Sequence, residues 1–212
     1  GQATAINADG NCNGTWYNAW FDSGTNRVYL SGLSGTGGAL TSRDNDASGN
    51  VCGSPISTGE APEVRGLWGW TGAGGLDLYA VDSGGHFFRW ETWQATPTVV
   101  LLGQVPGTWF DLDGSSPRNL IAVGSVTAGG NVIPAVARST ASGTFQLETL
   151  PSGLPAGAEL RTVSVSPLNG FAVAVGDKGV ILTRENAPGA AWITVSPPPN
   201  AADLTGAWAA GP

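Results

Sequence analysis

Two short stretches carry side-chain oxygens at alternating positions followed by a glycine, Asp9-x-Asn11-x-Asn13-Gly14 and Asp44-x-Asp46-x-Ser48-Gly49. Hard cations such as calcium take ligands in that pattern from the first half of a binding loop. The twelfth position, where such a loop supplies a bidentate Glu, is Trp20 in the first stretch and Pro55 in the second. Asx-rich turns account for both stretches equally well. Asp44, Asp46 and Ser48 are the candidate calcium ligands, and no other cofactor is indicated.

Residues for covalent or acid–base chemistry are sparse. His86, in GGHFFRW, is the only histidine and stands at the start of an apolar run, so it reads as a turn-edge residue. Neither a Ser-His-Asp triad nor a histidine-rich metal cluster can be built around it. Tyr29 and Tyr79 lie in apolar runs with no Glu assigned behind them, which leaves a sialidase-type nucleophile without its base. No glycine-rich loop ends in Lys-Ser or Lys-Thr, so nothing cradles a phosphate. No catalytic residue is assigned, and the chain is expected not to be an enzyme.

The chain has nine Trp, and most recur with its repeats. Trp20, Trp70, Trp90 and Trp93 are the exceptions, and aromatic faces outside the core are what a carbohydrate site would use. Cys12 and Cys52 bracket the first repeat. A bridge between them would tie the N-terminal lead to the outer edge of that repeat, with a stabilisation of roughly 4 kcal/mol from loop closure.

These residues are carried by a repeat. Arg43, Arg89, Arg138 and Arg184 each close an apolar strand-like run, at spacings of 46, 49 and 46 residues. GTW occurs at Gly14 and Gly107, and EVR at Glu63 answers ELR at Glu159; these separations of 93 and 96 residues are two periods each. The best copy, GFAVAVGDKGVILTRENAPGAAWITV from Gly170, reads as strand, tight turn, strand, turn and strand, preceded by the alternating LRTVSVS. No ten-residue window has helical periodicity free of Gly or Pro. A period near 46 with four short strands predicts an all-β fold, a β-propeller of four-stranded antiparallel blades. Blades fall at about 15–60, 61–106, 107–158 and 159–202 within one domain, and 203–212 (DLTGAWAAGP) reads as the first strand of a fifth. On that reading the chain is the processed or ordered part of a longer one, or its open edge is completed by another chain.

The VGDKGVILTRENAPGAAW stretch resembles the repeats of the photosystem II assembly-factor type of propeller and of related secreted bacterial propellers. Their blades end in the Asp-box turn also found in sialidases. Thr183, Glu185, Gly189 and Trp192 match that turn in the fourth copy, and Ser139, Gly143 and Phe145 in the third, with Glu185 or Ala141 where the box has its central Asp. The resemblance implies a fold rather than an activity.

Composition narrows the function. The formal net charge is −7, with nine Lys and Arg spread along the chain. No basic stripe exists to neutralise successive phosphates, which argues against nucleic acid and anionic membranes. No apolar run of about 18 residues is present to span a bilayer. With no Met and Gly at position 1, the sequence reads as a processed, exported form, at the cell surface, periplasmic or extracellular. The expected role is a non-catalytic scaffold or protein-binding subunit of a larger assembly. A carbohydrate-binding propeller is the alternative, and a sialidase-like hydrolase comes third.

Overall fold

A computed structural model describes residues 14–35, 37–44, 52–94, 96–187, 189–197 and 202–209. Blade one is β1 (Thr15–Asp22), β2 (Arg27–Ser34), β3 (Gly37–Asp44) and β4 (Ile56–Ser57); blade two is β5 (Val64–Gly72), β6 (Gly75–Asp82), β7 (His86–Glu91) and β8 (Thr98–Gln104). Blade three is β9 (Thr108–Ser116), β10 (Asn119–Ala128), β11 (Asn131–Ser139) and β12 (Phe145–Leu147). Blade four is β13 (Leu160–Val165), β14 (Ala172–Gly176), β15 (Ile181–Arg184) and β16 (Ile193–Thr194). Each sheet is antiparallel and ordered as the chain runs, giving a four-bladed β-propeller whose first strands line the axis.

Strand alternation explains how the blades stack. In β10, Leu120 and Ala122 join a core shared with blade two, while Ile121 and Val123 join one shared with blade four. A strand buried on both faces is apolar at every position, and NLIAVG is such a run. Phe145 stacks on Phe87 at 3.8 Å across the seam between blades three and two, and Trp109 meets Phe87 edge-on at 5.9 Å. A third core, with Tyr29, Leu40, Leu67, Phe88 and Trp90, joins blades one and two. Three of the four seams therefore hold a shared apolar core. Among the described residues, the other face of blade one carries its own small cluster of Trp16, Leu30 and Ala39.

Residues 202–209 form no strand, contrary to the expected start of a fifth blade. They run against blade four instead: Leu204 N donates to Gly176 O, Lys178 N to Asp203 Oδ1 and Ala209 N to Ser164 Oγ. Trp208 is left exposed, unlike Trp68 of the same repeat position, which is buried.

Every first strand carries an irregularity at the same place. The ladders skip Tyr17, Arg65, Phe110 and Arg161, which are bulged residues in β1, β5, β9 and β13. Opposite three of these bulges stand Gly32, Gly124 and Gly176, where a Cβ would lie 2.0 Å from the carbonyl oxygen of Thr15, Thr108 or Glu159. The glycine opposite the bulge in these three blades thus admits it. Blade two has Asp82 there.

Candidate functional site

The first strands enter the axis at one end of the propeller and leave at the other, so positions along them sort the site residues. Midway lies Asp111 of β9. Its Oδ1 accepts from Asn18 Nδ2 of blade one at 3.1 Å and from its neighbour Leu112 N at 2.9 Å. Its Oδ2 accepts from Thr162 Oγ1 at 2.8 Å and Val163 N at 3.1 Å in blade four. One carboxyl therefore links blades one, three and four across the axis. Two residues on, Asp113 Oδ2 accepts from Val165 N at 2.7 Å and its Oδ1 from Gly114 N at 2.8 Å. The pair caps two inward-facing N–H groups of β13, which has no further ladder partner on that side.

Burial raises both acids. Desolvation pushes Asp111 above its ordinary value despite its hydrogen bonds. Asp113 is raised to about 6, again by burial first, with the Asp111 charge adding to it. A carboxyl of that pKa beside a cavity is what a general acid or base requires. Both Asp113 oxygens are already engaged by backbone N–H groups, as are both of Asp111 by its four donors.

At the entry end, a cavity of 510 Å³ opens above Asp111, lined by the bulged residues Tyr17, Arg65, Phe110 and Arg161 with Asn18, Thr162 and Thr205. The Arg65 guanidinium lies 4.7 Å from the Tyr17 ring centre and 5.6 Å from that of Phe110; Arg161 lies 4.5 Å from Phe110. Glu63 holds Arg65 through Nε at 3.2 Å and Nη2 at 2.5 Å. Asp177 holds Arg161 bidentately at 2.7 and 2.8 Å, and Glu159 approaches its Nη2 at 2.7 Å. These guanidinium bonds hold Glu63 and Asp177 below the usual carboxylate range.

At the exit end, a cavity of 330 Å³ is lined by Trp20, Trp68, Asp113, Val165 and Pro167 among others. Beside it stand the candidate carbohydrate residues, which separate into two kinds. Trp70 and Trp93 are 38% and 52% exposed. They flank Asp77: Trp70 is its cross-strand partner, and Trp93 Nε1 donates to Asp77 Oδ1 at 3.1 Å. Trp20 is half-buried, with its ring against Gly69 of the next blade. Trp90 is buried at 4% and meets Tyr29 edge-on at 5.6 Å, so it is a core residue with no face for a sugar.

Of the candidate calcium ligands, Asp44 ends β3 and pairs with Arg27 at 2.7 Å; Asp46 and Ser48 lie outside the described residues. Among those described, no group of three His, Cys, Asp or Glu is placed to hold a metal. Cys12 is also outside the described residues. Cys52 is buried and bridges Arg43 of β3, at the outer edge of blade one as expected.

Asp44 is held by Arg27, across the β2–β3 ladder. Arg184 is buried, and the carboxylate near it is Glu148 of blade three, 3.6 Å away, instead of its sequence neighbour Glu185. Neighbours along a strand point to opposite faces, so an adjacent acid is poorly placed to pair. Glu148 also accepts from Trp192 Nε1 at 2.6 Å and faces Arg138 at 3.9 Å. Arg89 does pair with Glu91, two residues on and on the same face. His86 is a turn-edge residue as read, its Nδ1 2.8 Å from Asp82 Oδ2.

Sequence reasoning missed Asp111, Asp113 and the entry ring. The available signal was the two-period spacing itself, which aligns TWY, EVR, TWF and ELR and brings the four bulged residues into one column.

Neither a scan of protein families nor a search of curated proteins gave a match for this chain. Among solved structures, the chain is similar to a protein from Lactobacillus plantarum determined by crystallography in a structural-genomics programme. The TM-score is 0.56 at 10% identity, over 87% of this chain and 56% of that one. The chain thus spans little more than half the length of that relative, and the likeness concerns the fold.

Proposed function

We propose that the chain is a non-catalytic binding propeller, exported and acting as a scaffold or protein-binding subunit of a larger assembly, with its exit end as the contact face. The observation that carries this reading is the exposed aromatic and aliphatic surface there: Trp70, Trp93 and Phe21, with Leu168 following β13. Large exposed apolar side chains gathered at one end favour a partner over bulk water. The Asp-box resemblance and a Cys12–Cys52 bridge belong to the same proposal, as both suit an exported protein.

A photo-crosslinking residue placed at Trp93 in the producing cells tests it. The expected result is one protein recovered from that position and none from Val100 on the blade-two edge.

Carbohydrate binding is the second reading, favoured by the fixed rings at the same end. Trp70 stacks on Trp68 at 6.1 Å and 20°, and Trp93 is held by Asp77 beside it. A glycan array with tryptophan fluorescence separates the two, because sugar binding would quench Trp70 and Trp93 without any protein partner. No crosslink at 93 and no glycan bound would remove both.

A further inference from the structure

The entry mouth is built from the one position in each first strand that the ladder releases. Around the axis the released residues alternate as Tyr17, Arg65, Phe110 and Arg161, so like residues stand in opposite blades. Three consecutive contacts of this ring are formed, Tyr17 with Arg65, Arg65 with Phe110, and Phe110 with Arg161. Thr205 lines the mouth with them.

The hydrogen-bonding capacity left open here is one-sided. Glu63 takes Nε and Nη2 of Arg65, and Asp177 with Glu159 takes the same atoms of Arg161. Among the described residues neither Nη1 amino group has an acceptor. The acceptors of the mouth are already used, since both oxygens of Asp111 are filled from Asn18, Leu112, Thr162 and Val163. What remains is two Nη1 amino groups and the hydroxyls of Tyr17 and Thr205, next to the apolar faces of Tyr17 and Phe110. Donors beside ring faces match a group with several acceptor oxygens on an apolar or ring-shaped body.

We propose that the mouth bordered by Tyr17, Arg65, Phe110 and Arg161 is a binding site for a small organic carboxylate. The carboxylate accepts from the two Nη1 groups, and the body of the acid lies on the aromatic faces. Glu63, Glu159 and Asp177 hold the guanidiniums in place and outnumber them by one charge. Recognition therefore rests on donor geometry more than on long-range attraction, and binding should depend only weakly on salt. This site is at the opposite end from the proposed partner face and stands or falls separately.

The test uses the whole chain with benzoate as the probe and benzyl alcohol and inorganic phosphate as controls. Arginine modification by phenylglyoxal, mapped by mass spectrometry, needs no variant. Benzoate is expected to protect Arg65 and Arg161 while leaving Arg27 unchanged, and benzyl alcohol is expected to protect neither. In calorimetry, Arg65→Gln and Arg161→Gln should each weaken benzoate binding about tenfold or more, while Phe110→Leu should weaken it without abolishing it. Absence of protection in the wild-type protein would overturn the assignment, as would unchanged affinity in both arginine variants. Protection by phosphate equal to that by benzoate would overturn the choice of an organic carboxylate.

Discussion

Asp111 accepts from a side chain in blade one, its own neighbour in blade three, and a side chain and a backbone N–H in blade four. Removing it strands the Val163 N–H and the Asn18 amide near the axis. Asp111→Ala should cost about 3 kcal/mol in denaturant unfolding, and Asp111→Asn less, because the amide keeps one acceptor. Asp113 makes a pH-dependent contribution of definite sign. Its folded value of about 6 exceeds its ordinary 3.8, so the folded protein holds that proton more tightly than the unfolded chain. The stabilisation is complete below pH of about 4 and is lost as pH rises towards 6, by up to about 3 kcal/mol. Burial of Asp111 acts in the same direction. Melting temperature should therefore fall between pH 4 and 6, and Asp113→Asn should flatten that slope. Glu63 and Asp177, held low by Arg65 and Arg161, act oppositely, losing their contribution as pH falls below their unfolded values. None of this was legible beforehand. Asp111 and Asp113 sit in TWFDLDGSS as ordinary polar positions of an alternating strand, and their partners are 51 or more residues away in blade four and 93 away in blade one.

At the level of strands, the glycines of β10 and of the turn after it separate two physical effects. Gly124 has an ordinary extended backbone but no room, since a Cβ would lie 2.0 Å from Thr108 O. Gly129 and Gly130 have room, but φ values of 58° and 80° in the two-residue turn between β10 and β11. Gly124→Ala must displace backbone across the bulge and should cost about 3 kcal/mol, against about 1 kcal/mol for Gly129→Ala. Chemical denaturation of both variants checks the order. The strands themselves were readable because FAVAVG, VILTR and their counterparts carry β-branched apolar runs between turn residues. The bulges were not, because one extra residue inverts the inward–outward alternation from which facing is inferred. Glu148 shows the same limit across strands: its link to Trp192 and Arg184 joins blades three and four, and proximity in sequence does not disclose it. Trp192→Phe keeps the ring but leaves Glu148 without its donor, and thermal unfolding should show a loss of about 1 kcal/mol.

For the whole molecule, the period near 46 residues was enough to identify the propeller, since each blade must bury both faces against neighbours of its own kind. What the period could not convey is the inequality of the seams. Three are filled by shared apolar cores, whereas among the described residues blades four and one are linked through Asp111. Hydrogen exchange should find β1 and β13 opening before β9 and β10, and in Asp111→Ala that difference should widen. The Cys12–Cys52 bridge would brace the same blade from its outer edge. If it forms, reduction should lower stability by about 4 kcal/mol, and thiol alkylation before reduction should label neither cysteine.

The released residues of the first strands have a broader consequence. A side chain that belongs to no ladder pair can be exchanged without altering any rung of the sheet behind it. The two kinds of blade differ at this place, one contributing a ring and the other a cation. The mouth can therefore be rewritten, one quadrant at a time, while the ladders of the framework that displays it stay as they are.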